Sequence, residues 1–463
     1  MTIATSLRKL DQRTRDAFTA SALGLFALIF RLWHLQFPTG LVFDEVYYAQ
    51  NGYSLLHHGV ELDGVKNSAE FVVHPPIGKW LIAAGIKIFG YDEFGWRFSA
   101  AIIGTVSIVL VFYVARELFN NYFLSVAAGI LMSLDGLHLV MSRTALLDIF
   151  LMFFIFLGFY FLLKSRHYLA GISLGLAAAT KWNGLYFLLA YLVFTLYVDY
   201  RQNRALEIDH PVRQTLVTTS LKRIIQYALI PVGVYVTSWA GWFLTSSGYD
   251  RQWAKTQTGG SFNFIPGILR SWWHYHAEIL NFHTHLTTSH PYAANPWNWL
   301  IMGRPTSFFY ETPKGAHACG ATDCAQEVLA LGTPILWWSG VIAIAIIFGY
   351  WISRREWQSG LLLLSLAAGY LPWFLQKRTV FTFYVIAFEP FFILIIVYCL
   401  KLFLEPRSDG PDQEPQIPKS RQWISYAYLG LVAANFLYFL PLFIGGAVTY
   451  DHWSQLMWLP SWI

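Results

Sequence analysis

Residues 146 to 163 read Leu-Leu-Asp-Ile-Phe-Leu-Met-Phe-Phe-Ile-Phe-Leu-Gly-Phe-Tyr-Phe-Leu-Leu, a continuous apolar run with one acid near its start. Apolar and polar residues do not alternate, so the run does not suit a strand with one wet face. A helix crossing a bilayer core of about 30 Å needs roughly 20 residues, and this run approaches that length. Similar continuous runs recur along the chain, which excludes an outer-membrane β-barrel. The pattern predicts an all-α integral membrane protein of about eleven spans. They fall at 17–37, 96–115, 122–141, 145–163, 168–183, 184–200, 224–246, 332–352, 360–376, 380–404 and 423–446, the fifth being short.

Composition agrees. Of 463 residues, 56% are hydrophobic and 13% charged, against about 25% charged in soluble domains. So few charges cannot clothe a soluble protein of this length, which excludes a cytosolic enzyme and a disordered chain. The aromatic content of 18% suits Trp and Tyr at bilayer interfaces. The net charge of +5 comes from small scattered basic groups and does not indicate nucleic acid. Three cysteines give no zinc framework. Cys319 and Cys324 either pair in an oxidising compartment or stay as two loop thiols, and Cys399 reads as a buried free thiol.

Basic residues set the sidedness. Arg8, Lys9, Arg13 and Arg15 precede the first span. Lys164 with Arg166, the group from Arg201 to Arg223, the pair Arg354–Arg355, and Lys401 with Lys419 and Arg421 fall on the same side. The opposing short loops carry only Arg143, Lys181, Lys377 and Arg378. This puts the N-terminus inside and the C-terminus outside, with the first span an uncleaved signal anchor. Residues 1–463 form a single polytopic membrane domain. Its long outer segments are 38–95 and 247–331, and 405–422 is a Pro-rich, charged cytoplasmic linker.

Chemistry is expected on the outer side. Asp44 and Glu45 lie just beyond the first span, where adjacent carboxylates suit a general base or simply a helix N-terminus. Arg31, inside that span, needs an anion or a wet cavity unless it snorkels outward. His74 and Lys79 lie in Val-His-Pro-Pro-Ile-Gly-Lys at 73–79, ahead of an amphipathic stretch reaching about Phe89. Arg97 starts the second span, as either a phosphate ligand or an interfacial anchor. Asp135 and Asp148 are expected to pair with cations. Lys181 and Arg378 sit at outer span ends. Glu389-Pro390 is expected to kink the tenth span, with the Glu needing a partner. The second outer segment carries His274, His276, His283, His285 and His290, with Trp297 beyond, but no carboxylate–histidine spacing of a zinc site.

Five segments in this order are similar to the protein O-mannosyltransferases that use a polyprenyl-phosphate mannose donor. They are Phe-Asp-Glu-Val at 43–46, Val-His-Pro-Pro-Ile-Gly-Lys at 73–79, Leu-Leu-Asp-Ile-Phe-Leu at 146–151, Thr-Lys-Trp-Asn-Gly at 180–184, and His-Pro-Tyr with Pro-Trp-Asn-Trp at 290–299. The span 247–331 has no room for the large soluble insert of fungal and animal members, so the chain resembles the bacterial, actinobacterial-type branch. The resemblance implies the multispan lipid-donor (GT-C-type) glycosyltransferase fold, with Asp44 as catalytic base and Glu45 in support. It also implies Arg31 and Arg97 as important arginines, Arg97 at the donor phosphate.

Lys181 and Arg378 are added as donor-phosphate cations, and His74, Lys79, His290 and Trp297 as substrate contacts. The implied substrates are polyprenyl-phosphate mannose and Ser/Thr hydroxyls of secreted or membrane proteins, with the secretion translocon as a candidate partner. No cofactor or divalent metal is expected to be obligatory, because fixed cations can face a single leaving phosphate. The expected location is the plasma membrane, with the active site extracytoplasmic. Two alternatives are a lipid-donor transferase acting on a glycan or lipid, and a lipid-linked sugar transporter. Most charges crowd the outer side, which weighs against transport.

Overall fold

A computed structural model describes residues 11–257, 263–314, 316–406 and 416–463. Arg8, Lys9 and half of the linker 405–422 (residues 407–415) lie outside the described residues.

The predicted first span is helix α1 (Gln12–Leu32), started by Asp11, whose carboxylate accepts from the Arg13 and Thr14 amides. Two outer helices follow, α2 (Glu45–His58) and α3 (Ile77–Phe89). Then comes α4 (Glu93–Phe119), with Asp92 bonded to the Gly95 amide at its start and Asn120 in the left-handed region at its end. Asp16 of α1 and Arg116 of α4 pair at 2.7 Å, tying the first two spans together.

The predicted third span is two helices, α5 (Tyr122–Ser133) and α6 (Gly136–Met141), broken at Leu134-Asp135. The opening run of the sequence becomes α7 (Asp148–Leu163), in which most side chains are buried. Its apolarity on every side follows from its central position: it packs against α4 and α8 (His167–Ala178) and meets protein nearly all round.

Next are α9 (Gly184–Ala205) and a run of helical turns from Pro211 to Leu244. The second outer segment contains α10 (Gly267–His285). It also departs from the all-α expectation, with an antiparallel sheet of β1 (Thr306–Glu311), β2 (Cys324–Ala330) and β3 (Val448–Thr449) in that order. Cys319 and Cys324 are disulfide-bonded at the start of β2.

The helices at the last four predicted spans are α11 (Pro334–Arg354), α12 (Trp357–Tyr370), α13 (Glu389–Phe403) and α14 (Lys419–Ile444). Glu389-Pro390 does not kink a helix. It begins α13 after a 3-10 stretch at Thr382–Ala387, where proline lacks only an N–H that has no helical partner.

Four helical segments are long and apolar enough to cross a membrane: Glu93–Phe119, Pro334–Arg354, Trp357–Leu375 and Lys419–Ile444. One buried apolar core runs from Ala27 to Trp462, and a smaller cluster under the outer segments joins Val60, Leu62 and Val72 to Trp239, Trp242, Tyr275 and Ile279.

Candidate active site

Phe43 sets up the site. Its φ of 47° is left-handed, which costs a bulky residue about 1–2 kcal/mol. Rings hold it there: Phe308 stacks on it at 4.9 Å, with Phe383 at 5.6 Å, Phe381 at 5.7 Å and His290 at 6.0 Å edge-on. The turn delivers two neighbouring carboxylates to different surroundings.

Glu45 is fully buried. It accepts from the Val42 amide at 3.1 Å, the Ala145 amide at 2.9 Å and Arg97 Nε at 2.8 Å. Asp44 takes the cap position of α2 without bonding its amides. Its carboxylate is half-buried, with the Tyr48 hydroxyl, one turn on, at 3.5 Å. Its acidity identifies its other neighbours. Burial pushes Asp44 up to about 6, Lys181 pulls it down, Asp148 pushes it up, and Tyr48 and Arg378 pull it down.

Lys181 donates to both oxygens of Asp148, at 2.9 and 3.0 Å, and lies over the Tyr384 ring at 4.3 Å. Arg378 donates Nη1 to His283 Nδ1 at 2.5 Å and Nε to the Thr379 carbonyl at 3.3 Å, while its Nη2 makes no hydrogen bond among the described residues. His283 in turn donates Nε2 to the Val73 carbonyl at 2.8 Å. Helix α10 of the second outer segment is thereby stitched to the first, where the Val72 amide also donates to the Tyr275 hydroxyl at 3.1 Å.

His74 lies 5.2 Å from the His283 ring. Burial holds His74 well below the usual histidine range, and the Lys181, His283, Arg378 and Lys79 charges add to this. Burial and the Arg378 charge hold His283 near 4. Both imidazoles are neutral at ordinary pH, able to donate or accept without adding charge.

The structure thus brings Asp44, His74, Lys181 and Arg378 together and separates others. Arg97 has no free N–H for a phosphate. Besides Glu45, it donates Nη1 to the Leu35 and Pro38 carbonyls at 3.3 and 2.7 Å, and Nη2 to the Gly40 carbonyl at 3.1 Å and to Glu45. Its reading as a donor-phosphate ligand gives way to one of holding the turn that carries Asp44.

Arg31 is also enclosed, donating to the Ala27 carbonyl at 3.0 Å and meeting His138 Nδ1 at 2.6 Å. A Cβ on Gly104 would fall 2.1 Å from the Ser142 hydroxyl and 3.2 Å from Arg31 Nε, so only glycine leaves room there. Arg31 faces the charge of Glu389, but among the described residues neither Glu389 carboxylate oxygen has a hydrogen-bond partner. Lys79 is buried in an ion pair with Glu61 at 2.5 Å and bonds the His74 carbonyl at 2.9 Å, contacts that brace residues 61–79. His290 supports Phe43, and Trp297 is 75% exposed against Phe374 at 4.7 Å.

Sequence reasoning passed over Tyr48, His283 and Tyr384. Tyr48 had a signal, the helical i,i+4 spacing from Asp44; the other two reach the site only through tertiary packing.

A polyprenol-phosphate-mannose–protein mannosyltransferase of Mycolicibacterium smegmatis is 34% identical over 98% of this chain and 94% of its own. The chain belongs to the polyprenol-phosphate-mannose–protein mannosyltransferase family. Mannosyltransferases of the same description from Mycobacterium tuberculosis and Corynebacterium glutamicum are 32% and 30% identical, over 97% and 96% of this chain. Residues 73–221 match the family described as dolichyl-phosphate-mannose-protein mannosyltransferase, as do 21–93, and 268–462 match the C-terminal four-span region of protein-O-mannosyltransferase.

The mannosyltransferase fold is shared with solved structures. The yeast Pmt1–Pmt2 complex bound to its sugar donor superposes with a TM-score of 0.79, covering 99% of this chain and 94% of that one at 14% identity. ArnT of Cupriavidus metallidurans, bound to undecaprenyl phosphate, gives 0.51 over 92% and 71% at 14% identity.

Proposed function

We propose that this mannosyltransferase moves mannose from polyprenyl-phosphate mannose to Ser or Thr hydroxyls of secreted or membrane proteins, with inversion at the anomeric carbon and Asp44 as the general base. The observation that carries this is Asp44 itself: a carboxylate free of capping duty, partly open, beside Lys181 and Arg378. An alcohol is a weak nucleophile until a base accepts its proton. In one displacement the acceptor oxygen bonds to the anomeric carbon, the bond from that carbon to the phosphate oxygen breaks, and the hydroxyl proton passes to Asp44. The β-linked donor becomes an α-mannoside, and the polyprenyl phosphate leaves with one more negative charge.

Arg378 is assigned to that phosphate through its uncommitted Nη2, with Lys181 supplying charge from its place on Asp148. Fixed cations facing a single phosphate make a divalent metal unnecessary for the step. The assignment places about eleven helical passages across the plasma membrane, the N-terminus inside and the site on the extracytoplasmic face, where the secretion translocon delivers extended acceptor chains.

The test is transfer from polyprenyl-phosphate mannose to a Thr-rich peptide by the purified protein and by Asp44→Asn. Activity in the parent and near-complete loss in the folded variant support the reading. Equal activity removes Asp44 from the mechanism, and a β-mannosyl product removes inversion.

A further inference from the structure

The second outer segment holds a side-chain group that the transfer reaction does not use. His274 Nε2 lies 3.3 Å from Asp250 Oδ2 and 3.4 Å from Glu278 Oε1, and one ligand atom from each residue fits within 4.8 Å of the others. His274 and Glu278 are four residues apart on α10 and share a face, a carboxylate–histidine pair that the expectation of no metal framework overlooks. Asp250 arrives from the turn before the short helix Trp253–Thr256. The Trp253 indole lies flat on the His274 ring, 4.0 Å away and 8° from parallel, fixing the imidazole plane.

Three observations point to a cation. The two carboxylates have no Lys or Arg partner among the described residues. The nearby arginines are turned away, Arg251 onto the Trp242 and Phe243 carbonyls and Arg270 onto Asn263 and the Ala254 carbonyl. Glu278 Oε2 is closed to solvent and makes no hydrogen bond within 3.5 Å among the described residues, and the Tyr249 hydroxyl is the donor that faces that side chain. The two contacts to Nε2 match the edge of a tetrahedron around a metal with bonds of about 2.0–2.1 Å, which is about 3.3 Å.

We propose that Asp250, His274 and Glu278 bind one divalent cation of the zinc class. Neutral imidazole and two carboxylates supply three ligands, and water takes the fourth position. The ion neutralises the two acids and fastens the Asp250 turn to α10. His283 lies nine residues further along α10, about 13 Å at 1.5 Å per residue. The ion is therefore a structural clamp on the helix that positions His283 and takes no part in the chemistry at Asp44.

The test uses the full-length protein in detergent, stripped of metal and titrated with Co²⁺ alone. One equivalent should bind with the intense visible absorption of a tetrahedral site, and Zn²⁺ should displace it. His274→Ala and Glu278→Gln should each weaken binding by more than about 100-fold, beyond the effect of a second-shell change, while His285→Ala binds as the parent does. Zinc should raise the melting temperature of the parent and of neither ligand variant. If His274→Ala does not fold, Glu278→Gln and Asp250→Asn carry the same test. Absence of a saturable one-equivalent site, or binding that persists in the folded ligand variants, overturns the proposal.

Discussion

Arg97 meets Glu45 through two parallel contacts of 2.8 Å, Nε to Oε1 and Nη2 to Oε2, with both side chains closed to solvent. The remaining Arg97 donors hold the carbonyls of Leu35, Pro38 and Gly40, so one guanidinium organises the whole turn between α1 and α2. Asp44 is the next residue to Glu45 and is left out of the arrangement. Its freedom depends on its neighbour being fully engaged.

Breaking a buried pair by removing one partner costs roughly 3–5 kcal/mol, because the other charge stays behind. Arg97→Ala should therefore lower the melting temperature and kcat together, with the KM values for donor and peptide changing in parallel. Thermal denaturation alongside two-substrate kinetics checks this. An increase confined to the donor KM, at unchanged stability, would restore Arg97 to the phosphate.

Asp44→Asn should cost about 10²- to 10⁴-fold in kcat, the usual share of a general base. It should not lower stability at neutral pH. Burial pushes the pKa of Asp44 up to about 6, so at neutral pH the folded protein holds an ionised carboxylate at a cost that a neutral amide avoids. A melting temperature below that of the parent would contradict this.

The pH profile has a defined sign. A base works when ionised, so kcat/KM should rise as pH passes about 6 and then level off. His283, held near 4, adds no titration in that window. Stability should run the other way: the unfolded chain releases the Asp44 proton in the ordinary carboxylate range, while the folded chain keeps it to about 6. The Asp44 contribution is thus favourable at low pH and is lost as pH rises through about 6. Asp44→Asn should remove both dependences.

Arg378→Ala should raise the donor KM by about 10- to 100-fold, the value of one or two hydrogen bonds to a charged group. The peptide KM should hold, and Arg378→Lys should recover part of the loss. Equal weakening for both substrates would assign Arg378 to bracing α10 through His283.

Lys79→Met leaves Glu61 facing a half-buried space without its cation. The expected result is lower thermal stability with unchanged KM values, measured by the same two methods. A rise in either KM would return Lys79 to substrate contact.

The four long apolar helices, Glu93–Phe119, Pro334–Arg354, Trp357–Leu375 and Lys419–Ile444, were readable because each is a local property: an apolar run long enough for the bilayer declares itself whatever its neighbours do. Asp44 and Glu45 stood out for a related reason, since two adjacent acids just past an apolar run are conspicuous in so apolar a chain. The breaks were harder. The interruption at Asp135 is stabilised by the Thr333 amide at 2.7 Å and the Trp337 indole at 3.1 Å, almost 200 residues away in sequence. The sheet was missed because β1 and β2 are short and pair across a long, irregular stretch of chain.

Chain order and chemistry alone determined that this is a helical membrane protein with long apolar runs, and drew the eye to the adjacent acids after the first helix. Which cation faces the site and which is consumed holding a loop was decided only by folding. Arg97 and Arg378 carry the same charge and each follows a span boundary. One is surrounded by five acceptors and the other keeps an amine open, a difference of partners that arise from distant segments and leave no mark beside either residue.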